Sequence, residues 1–117
     1  MRLNEVQFNG AAHVEGYGPG FFRVNGEAHS APLAILPSGL TKWGGFEDIA
    51  SLLEAGRDID ILLVGTGAEI AHIPSAFREA LEDAGIGVDI MASPQACRTY
   101  NVLLGEGRRV GVALIGV

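Results

Sequence analysis

The chain has 117 residues, of which 48% are hydrophobic and 19% are charged, a balance typical of a globular protein that buries a core. Fourteen acidic residues against eight basic ones give a formal net charge of -6, which repels nucleic-acid phosphates and anionic membrane surfaces. We therefore expect a single domain over residues 1–117 and no nucleic-acid partner.

Cysteine content and the apolar runs bear on the compartment. Cys97 is the only cysteine, so the chain has no disulfide framework, and a reducing, cytoplasmic compartment is expected. The N-terminus lacks the apolar core of a signal peptide. The longest apolar run, residues 110–117, is far shorter than the ~20 residues that span a bilayer. We expect no transmembrane segment, which leaves peripheral membrane contact open.

The first part of the chain is expected to be mainly β-structure. Residues 3–8 form a candidate first strand, and residues 10–20 are predicted to be a glycine-rich connector. Asn25 and Gly26 predict a β-hairpin, because Asn-Gly readily adopts the positive φ angles of a type I′ turn. The predicted strands of this N-terminal antiparallel group are Phe21–Val24, Glu27–Ser30 and Leu33–Leu36.

Helices and strands then alternate. Residues 46–55 predict a helix that buries Phe46, Ile49, Ala50 and Leu53 and is capped by Gly56. Residues 60–67 predict a strand buried on both faces, because their branched apolar run has no polar alternation and stops at Gly-Thr-Gly.

Two further helices and two strands complete the predicted fold. Pro74 and Gly85 bound a helix that buries Phe77 and Leu81, and Ser93 is the predicted N-cap of another that ends at Gly105. Its predicted inward residues are Ala96, Tyr100, Leu103 and Leu104. Strands at 88–91 and 109–115 complete a βαβαβ pattern, which predicts right-handed crossovers and three parallel strands in one sheet. The hairpin would make this sheet mixed, by extending it or by folding over one face.

The loop of Gly65, Thr66 and Gly67 is the first candidate site, because open α/β sheets bind ligands at the carboxyl ends of their central strands. A dinucleotide fingerprint would need a third glycine where Ile70 stands and a helix well before Pro74. The lysine of a P-loop is also missing. The favoured interpretation is that these glycines only let the chain turn over the sheet edge.

Other reactive side chains form no constellation. His13, His29 and His72 lie in unrelated segments, so no metal and no cofactor are expected. Cys97 is either a reactive thiolate at a helix N-terminus or a buried inert thiol, and the second is favoured. Ser38, Asp58 and Asp60 likewise lack a visible catalytic partner, and no catalytic residue is assigned.

The second candidate site is Arg98, Thr99, Tyr100 and Asn101, which put a planar cation, a hydroxyl and an amide on about one helical turn. Either these groups meet a ligand, or they hydrogen-bond neighbouring loops. The structural alternative is favoured.

The order of these motifs resembles a known family. Three features carry the resemblance: the Gly65 loop followed by Pro74, the Arg98 segment followed by Leu104, and residues 106–110 leading into the last strand. Phe8-Asn9-Gly10 and the segment from Leu36 to Trp43 also fit. The chain resembles a small α/β domain family that is typified by an uncharacterised methanogen (Methanothermobacter) protein. The family includes a mitochondrial assembly factor for respiratory complex I and an adipogenesis-associated cytosolic protein.

The resemblance implies a three-layer α/β fold with a mixed, mostly parallel central sheet, an N-terminal hairpin and about three helices. It implies a non-enzymatic role in assembling a membrane-bound respiratory complex through protein contacts. The binding residues carried over are Gly65, Thr66, Gly67, Arg98, Thr99, Tyr100 and Asn101, as a shared surface for an unknown ligand. We expect the Gly65 loop and the Arg98 helix to line a concave patch between the central strand and the third helix.

Three alternatives make different predictions. An assembly protein would expose an apolar patch around Phe21, Phe22 and Trp43. A small anion- or metabolite-binding enzyme would instead hold its ligand with Arg98 and the amides of the Gly65 loop. The third alternative is a homodimer formed through the hairpin or an exposed sheet edge.

Overall fold

The computed structural model describes residues 12–54 and 58–117. The candidate strand at 3–8 and the Gly56 cap lie outside these ranges. In chain order the strands are β1 (Val14–Gly18), β2 (Phe21–Val24), β3 (Glu27–Ser30), β4 (Leu33–Leu36), β5 (Gly39–Lys42), β6 (Ile61–Gly65), β7 (Gly87–Met91) and β8 (Val110–Leu114). The helices are α1 (Ala50–Glu54), α2 (Ser75–Asp83) and α3 (Ser93–Gly105).

The first three strands form an antiparallel sheet of their own, in the order β1-β2-β3. The predicted hairpin is confirmed, with φ angles of 52° at Asn25 and 81° at Gly26. The prediction of a connector over residues 10–20 was wrong for β1. Gly16 and Gly18 obscure the strand pattern there, and a register shift between Val14 and Gly16 breaks its period.

The central sheet has five strands in the order β5-β4-β8-β6-β7. The three parallel strands of the βαβαβ pattern are confirmed, with β6 between β8 and β7. The sheet is mixed because β4 pairs antiparallel with β5 and β8, so half of its pairings are parallel. Assigning β4 to the hairpin's group was wrong. All four of its residues are buried, which requires a strand covered on both faces.

Three layers pack around two cores. On one face of the central sheet, Leu63 and Val112 pack with Tyr100 of α3 and with Phe22 and Val24 of the three-stranded sheet. The hairpin therefore folds over one face and does not extend the sheet. The core on the other face joins residues of the central sheet to those of α1 and α2, namely Ala34, Leu36, Leu52, Leu62, Val64, Phe77, Leu81 and Ala113.

The first helix differs from its prediction. It covers only Ala50–Glu54, and it buries Leu52 while Leu53 is exposed. Asp48 causes the late start, because its carboxylate accepts hydrogen bonds from the Gly44 amide and from Ser51. Phe46 precedes the helix and packs edge-on against Trp43.

The other two helices lie where they were predicted. Phe77 and Leu81 are the buried residues of α2, and α3 begins at Ser93. Ser93 is not the N-cap, however, because Ala92 holds that position and no side chain caps the helix. Within residues 12–54 and 58–117, no helix is long and apolar enough to cross a membrane.

Candidate functional site

The carboxyl ends of β6 and β8 meet at Ser93, the first residue of α3. The Ser93 hydroxyl is fully buried, donates to the Ile115 carbonyl at 2.6 Å and accepts from the Gly67 amide at 2.9 Å. The Ser93 amide donates in turn to the Gly67 carbonyl at 2.7 Å. Sequence reasoning missed this role, because a serine directly before Pro94 carries the usual signature of an N-cap.

Gly65 is a glycine because α3 passes directly over it. A Cβ at Gly65 would lie 2.7 Å from Ser93 Oγ and 2.8 Å from a methyl group of Leu114. Gly67 has a φ of 111°, which suits glycine at the following turn. Gly67 thus serves a turn, as the structural interpretation of this loop expected, whereas Gly65 serves close packing.

Thr66 shapes the loop that follows. Its hydroxyl donates to the Glu69 carbonyl at 2.8 Å and accepts from the Ala71 amide at 2.9 Å. The closed loop carries Ile70, whose side chain is 67% exposed, beside a shallow groove. That groove is lined by Ile70, Ala71, His72 and Ile90.

Tyr100 and Asn101 fasten the three-stranded sheet to α3. The buried Tyr100 hydroxyl donates to the Ala12 carbonyl at 2.7 Å. The Asn101 side chain accepts from the Val14 amide at 3.0 Å and donates to the Val14 carbonyl at 2.7 Å. These two side chains therefore bond neighbouring backbone.

Arg98 lies on the exposed side of α3, while Thr99 is half-buried. Arg98 and Tyr17 line a groove of about 310 Å³ between α3 and β1, which we call the Tyr17–Arg98 groove. Its lining residues are Val14, Glu15, Gly16, Tyr17, Pro94, Cys97, Arg98 and Asn101. Gly65, Thr66 and Gly67 are not among these lining residues, and the groove beside Ile70 is lined by residues that follow them in the chain.

Burial controls the protonation of Cys97, which lines this groove, and of Tyr100 on the same helix. Burial raises the pKa of the Cys97 thiol to about 12, and the opposing effect of the Arg98 charge is smaller. Burial also raises the pKa of the Tyr100 hydroxyl. Both groups are therefore neutral at physiological pH, which agrees with the inert thiol favoured from the sequence.

The predicted apolar patch is not on the surface. Phe22 and Trp43 are buried and Phe21 is half-buried, so the expectation of an exposed cluster was wrong. Phe22 lies in one core and Trp43 in the other. Within residues 12–54 and 58–117, no group of three histidine, cysteine or acidic side chains could hold a metal ion.

Residues 14–115 match the model of a protein family described as "Protein of unknown function (DUF498/DUF598)". The chain belongs to this family. An uncharacterized protein of Rhodobacter capsulatus is 45% identical over 115 residues, which cover 98% of this chain and 93% of that one.

Proteins with more informative names are also similar to this chain. NADH dehydrogenase [ubiquinone] 1 alpha subcomplex assembly factor 3 of Rattus norvegicus is 35% identical over 124 residues. The match covers 98% of this chain but only 66% of the rat protein. The crystal structure of an outer membrane protein from Bartonella henselae is similar with a TM-score of 0.84 and 37% identity, covering 95% of this chain and 99% of that one. The DUF498/DUF598 family thus includes a respiratory complex I assembly factor.

Proposed function

We propose that this DUF498/DUF598 protein is a non-enzymatic assembly factor that binds other proteins, and that it aids assembly of a membrane-bound respiratory complex. The observation that carries the proposal is the 35% identity to assembly factor 3, which extends over 98% of this chain. Because that factor is longer, the proposal assigns its protein-binding role to the α/β domain that the two proteins share.

We place the protein contact at the Tyr17–Arg98 groove and the adjoining face of α3. Tyr17 is 47% exposed, and Val102, one turn after Arg98, is 59% exposed. Tyrosine and arginine are among the residues that contribute most binding energy at protein interfaces. Of the residues predicted to bind, Arg98 and Thr99 would touch the partner. Gly65, Thr66, Gly67, Tyr100 and Asn101 would hold the surface in shape.

The anion-binding alternative gains no support from the Gly65 loop. The Gly67 amide already donates to Ser93, and the Thr66 amide donates to the Met91 carbonyl at 3.0 Å. Both polar atoms of Asn101 are bound to Val14. An anion would therefore meet Arg98 without the loop amides that were expected to help bind it.

We propose a cytoplasmic location with peripheral contact at the membrane-bound complex. Cys97 is a free thiol, in keeping with a reducing compartment. Fractionation of the native host tests this point: the protein should leave the membrane in high salt. Retention that only detergent reverses would contradict peripheral contact.

Photo-crosslinking in the native host tests the proposed surface. A benzophenone amino acid replaces Val102, on the proposed face, or Leu53, which is 39% exposed on the opposite layer. The Val102 probe should crosslink to subunits or assembly proteins of the NADH dehydrogenase complex, and the Leu53 probe should not. Equal crosslinking from both positions, or none of these proteins at Val102, would contradict the assignment.

A further inference from the structure

At the edge of β1 beside the groove, a side-chain amide already hydrogen-bonds the backbone as a neighbouring strand would. The Asn101 carboxamide both accepts from and donates to the Val14 backbone, at 3.0 and 2.7 Å. This is the pair of bonds that a residue of an added antiparallel strand would make. β1 is an outer strand of its sheet, so this edge faces away from β2.

The next backbone groups on this edge belong to Tyr17. Gly18 and Phe21 flank a two-residue turn and so form a hydrogen-bonded pair, as do Gly16 and Arg23 two residues along. By the alternation of an antiparallel ladder, the N–H and C=O of Tyr17 point to the outer edge. This part of the outer edge lies at the Tyr17–Arg98 groove, which Tyr17 lines.

The positive charge of Arg98 favours an acidic ligand in the Tyr17–Arg98 groove. Arg98 is exposed, and among the described residues it has no hydrogen bond or ion pair. The carboxylate of Glu15, on the same groove, accepts from the Gly26 amide at 2.7 Å. A carboxylate brought by a partner would meet the Arg98 guanidinium.

We propose that the partner enters the Tyr17–Arg98 groove as an extended segment that pairs with the outer edge of β1 at Tyr17 and directs an acidic side chain to Arg98. The inference rests on the proposed protein-binding function and names the kind of segment that is bound. Strand addition of this type takes its affinity from main-chain hydrogen bonds and its specificity from side-chain contacts.

The probe is a phage-displayed library of random twelve-residue peptides selected on the purified protein. Selected peptides should share an acidic residue at a fixed position. On binding they should slow hydrogen exchange at the Tyr17 amide in NMR spectra. Tyr17→Pro removes that N–H, and Arg98→Ala removes the cation. Arg98→Ala should weaken peptide binding by about tenfold, the effect of losing one interaction of about 1.4 kcal/mol. Tyr17→Pro should weaken it by at least as much, because this variant also removes the exposed tyrosine ring.

The matched control is Ala28→Pro on β3, the other edge of the same sheet. By the same alternation the Ala28 backbone points outward, so this variant loses an edge N–H away from the groove. Its peptide affinity should equal that of the parent. If Tyr17→Pro does not fold, Arg98→Ala and the Tyr17 exchange still decide the outcome.

The proposal is overturned if no peptide is enriched, if enriched peptides lack an acidic residue, or if Tyr17 exchange is unchanged on binding. Respiratory-complex levels in a gene-deletion strain are measured independently. An unaffected strain would overturn the assembly function, whereas lower levels without peptide binding would overturn strand addition alone.

Discussion

Ser93 lies so close to Gly65 that a methyl group on the glycine would sit 2.7 Å from the serine hydroxyl oxygen. This relationship joins the first turn of α3 to the end of β6, at the edge where open α/β folds usually bind their ligands. Here the Ser93 hydroxyl occupies part of that edge and bonds Gly67 and Ile115. These two hydrogen bonds explain why a serine occupies this position, and no ligand is needed to explain it.

Gly65→Ala should destabilise the protein by about 1–3 kcal/mol, because the added methyl group overpacks the contact with Ser93. Gly16→Ala is the matched control, since a Cβ there has no neighbour within 4 Å. Unfolding in urea measures both changes. Equal midpoints for the two variants would show that α3 does not press on β6 at Gly65.

Ser93→Ala should leave the Gly67 amide and the Ile115 carbonyl without their side-chain partner in a buried site. A buried polar group that loses its partner costs about 1–3 kcal/mol, so a lower urea midpoint is expected. Ser75→Ala, at the exposed start of α2, is the control and should change stability little. A Ser93→Ala midpoint within error of the Ser75→Ala midpoint would contradict the role of the buried hydroxyl.

The sequence predicted the elements whose local signals agree with their final environment. Asn25-Gly26 determines its hairpin locally, and the apolar run of β6 requires a central strand wherever the sheet lies. Partner choice could not be predicted for β4, because antiparallel pairing with β8 depends on contacts far along the chain. The length of the helix predicted at 46–55 was overestimated, because the Asp48 carboxylate accepts hydrogen bonds that fix the loop before the helix.

The site was harder to predict than the fold. Residue types alone did not reveal that the polar groups of Tyr100 and Asn101 hydrogen-bond the backbone of Ala12 and Val14, about 87 residues earlier in the chain. The groove also depends on β1, a strand that was not predicted because Gly16 and Gly18 interrupt its sequence pattern. Arg98 was named from its chemistry, but its neighbour Tyr17 required the tertiary structure.

Cys97 should resist alkylation in the folded protein. Raising its pKa to about 12 lowers the thiolate fraction at neutral pH by about a thousandfold relative to an ordinary thiol, and burial also blocks the reagent. Iodoacetamide labelling at pH 8, followed by mass spectrometry, should be slow in buffer and rapid in denaturant. Rapid labelling of the folded chain would contradict the inert thiol.

Asp48 should make stability depend on pH in the acid range. Hydrogen bonds from the Gly44 amide and then from Ser51 lower the pKa of its carboxyl below its usual value of about 4. The folded pKa is depressed, so this contribution is present above the unfolded pKa and is lost as pH falls through the folded pKa. Asp48→Asn should therefore be less stable than the parent at pH 7, with the difference shrinking below about pH 4.

Melting temperatures recorded from pH 7 to pH 2 measure this effect. Glu47→Gln is the control, because the adjacent Glu47 side chain is exposed. The difference between Asp48→Asn and the parent should change more over this range than the difference between Glu47→Gln and the parent. A constant difference between Asp48→Asn and the parent across the same range would contradict the role of the Asp48 carboxylate.

The most direct test of the assembly function is the amount of assembled respiratory complex I in a native-host strain that lacks this gene. Native gels and NADH oxidation by isolated membranes measure it. We expect the assembled complex to fall, to recover with the parent gene, and to recover poorly with Arg98→Glu despite normal levels of that protein. Unchanged complex and unchanged NADH oxidation in the deletion strain would contradict the assembly role.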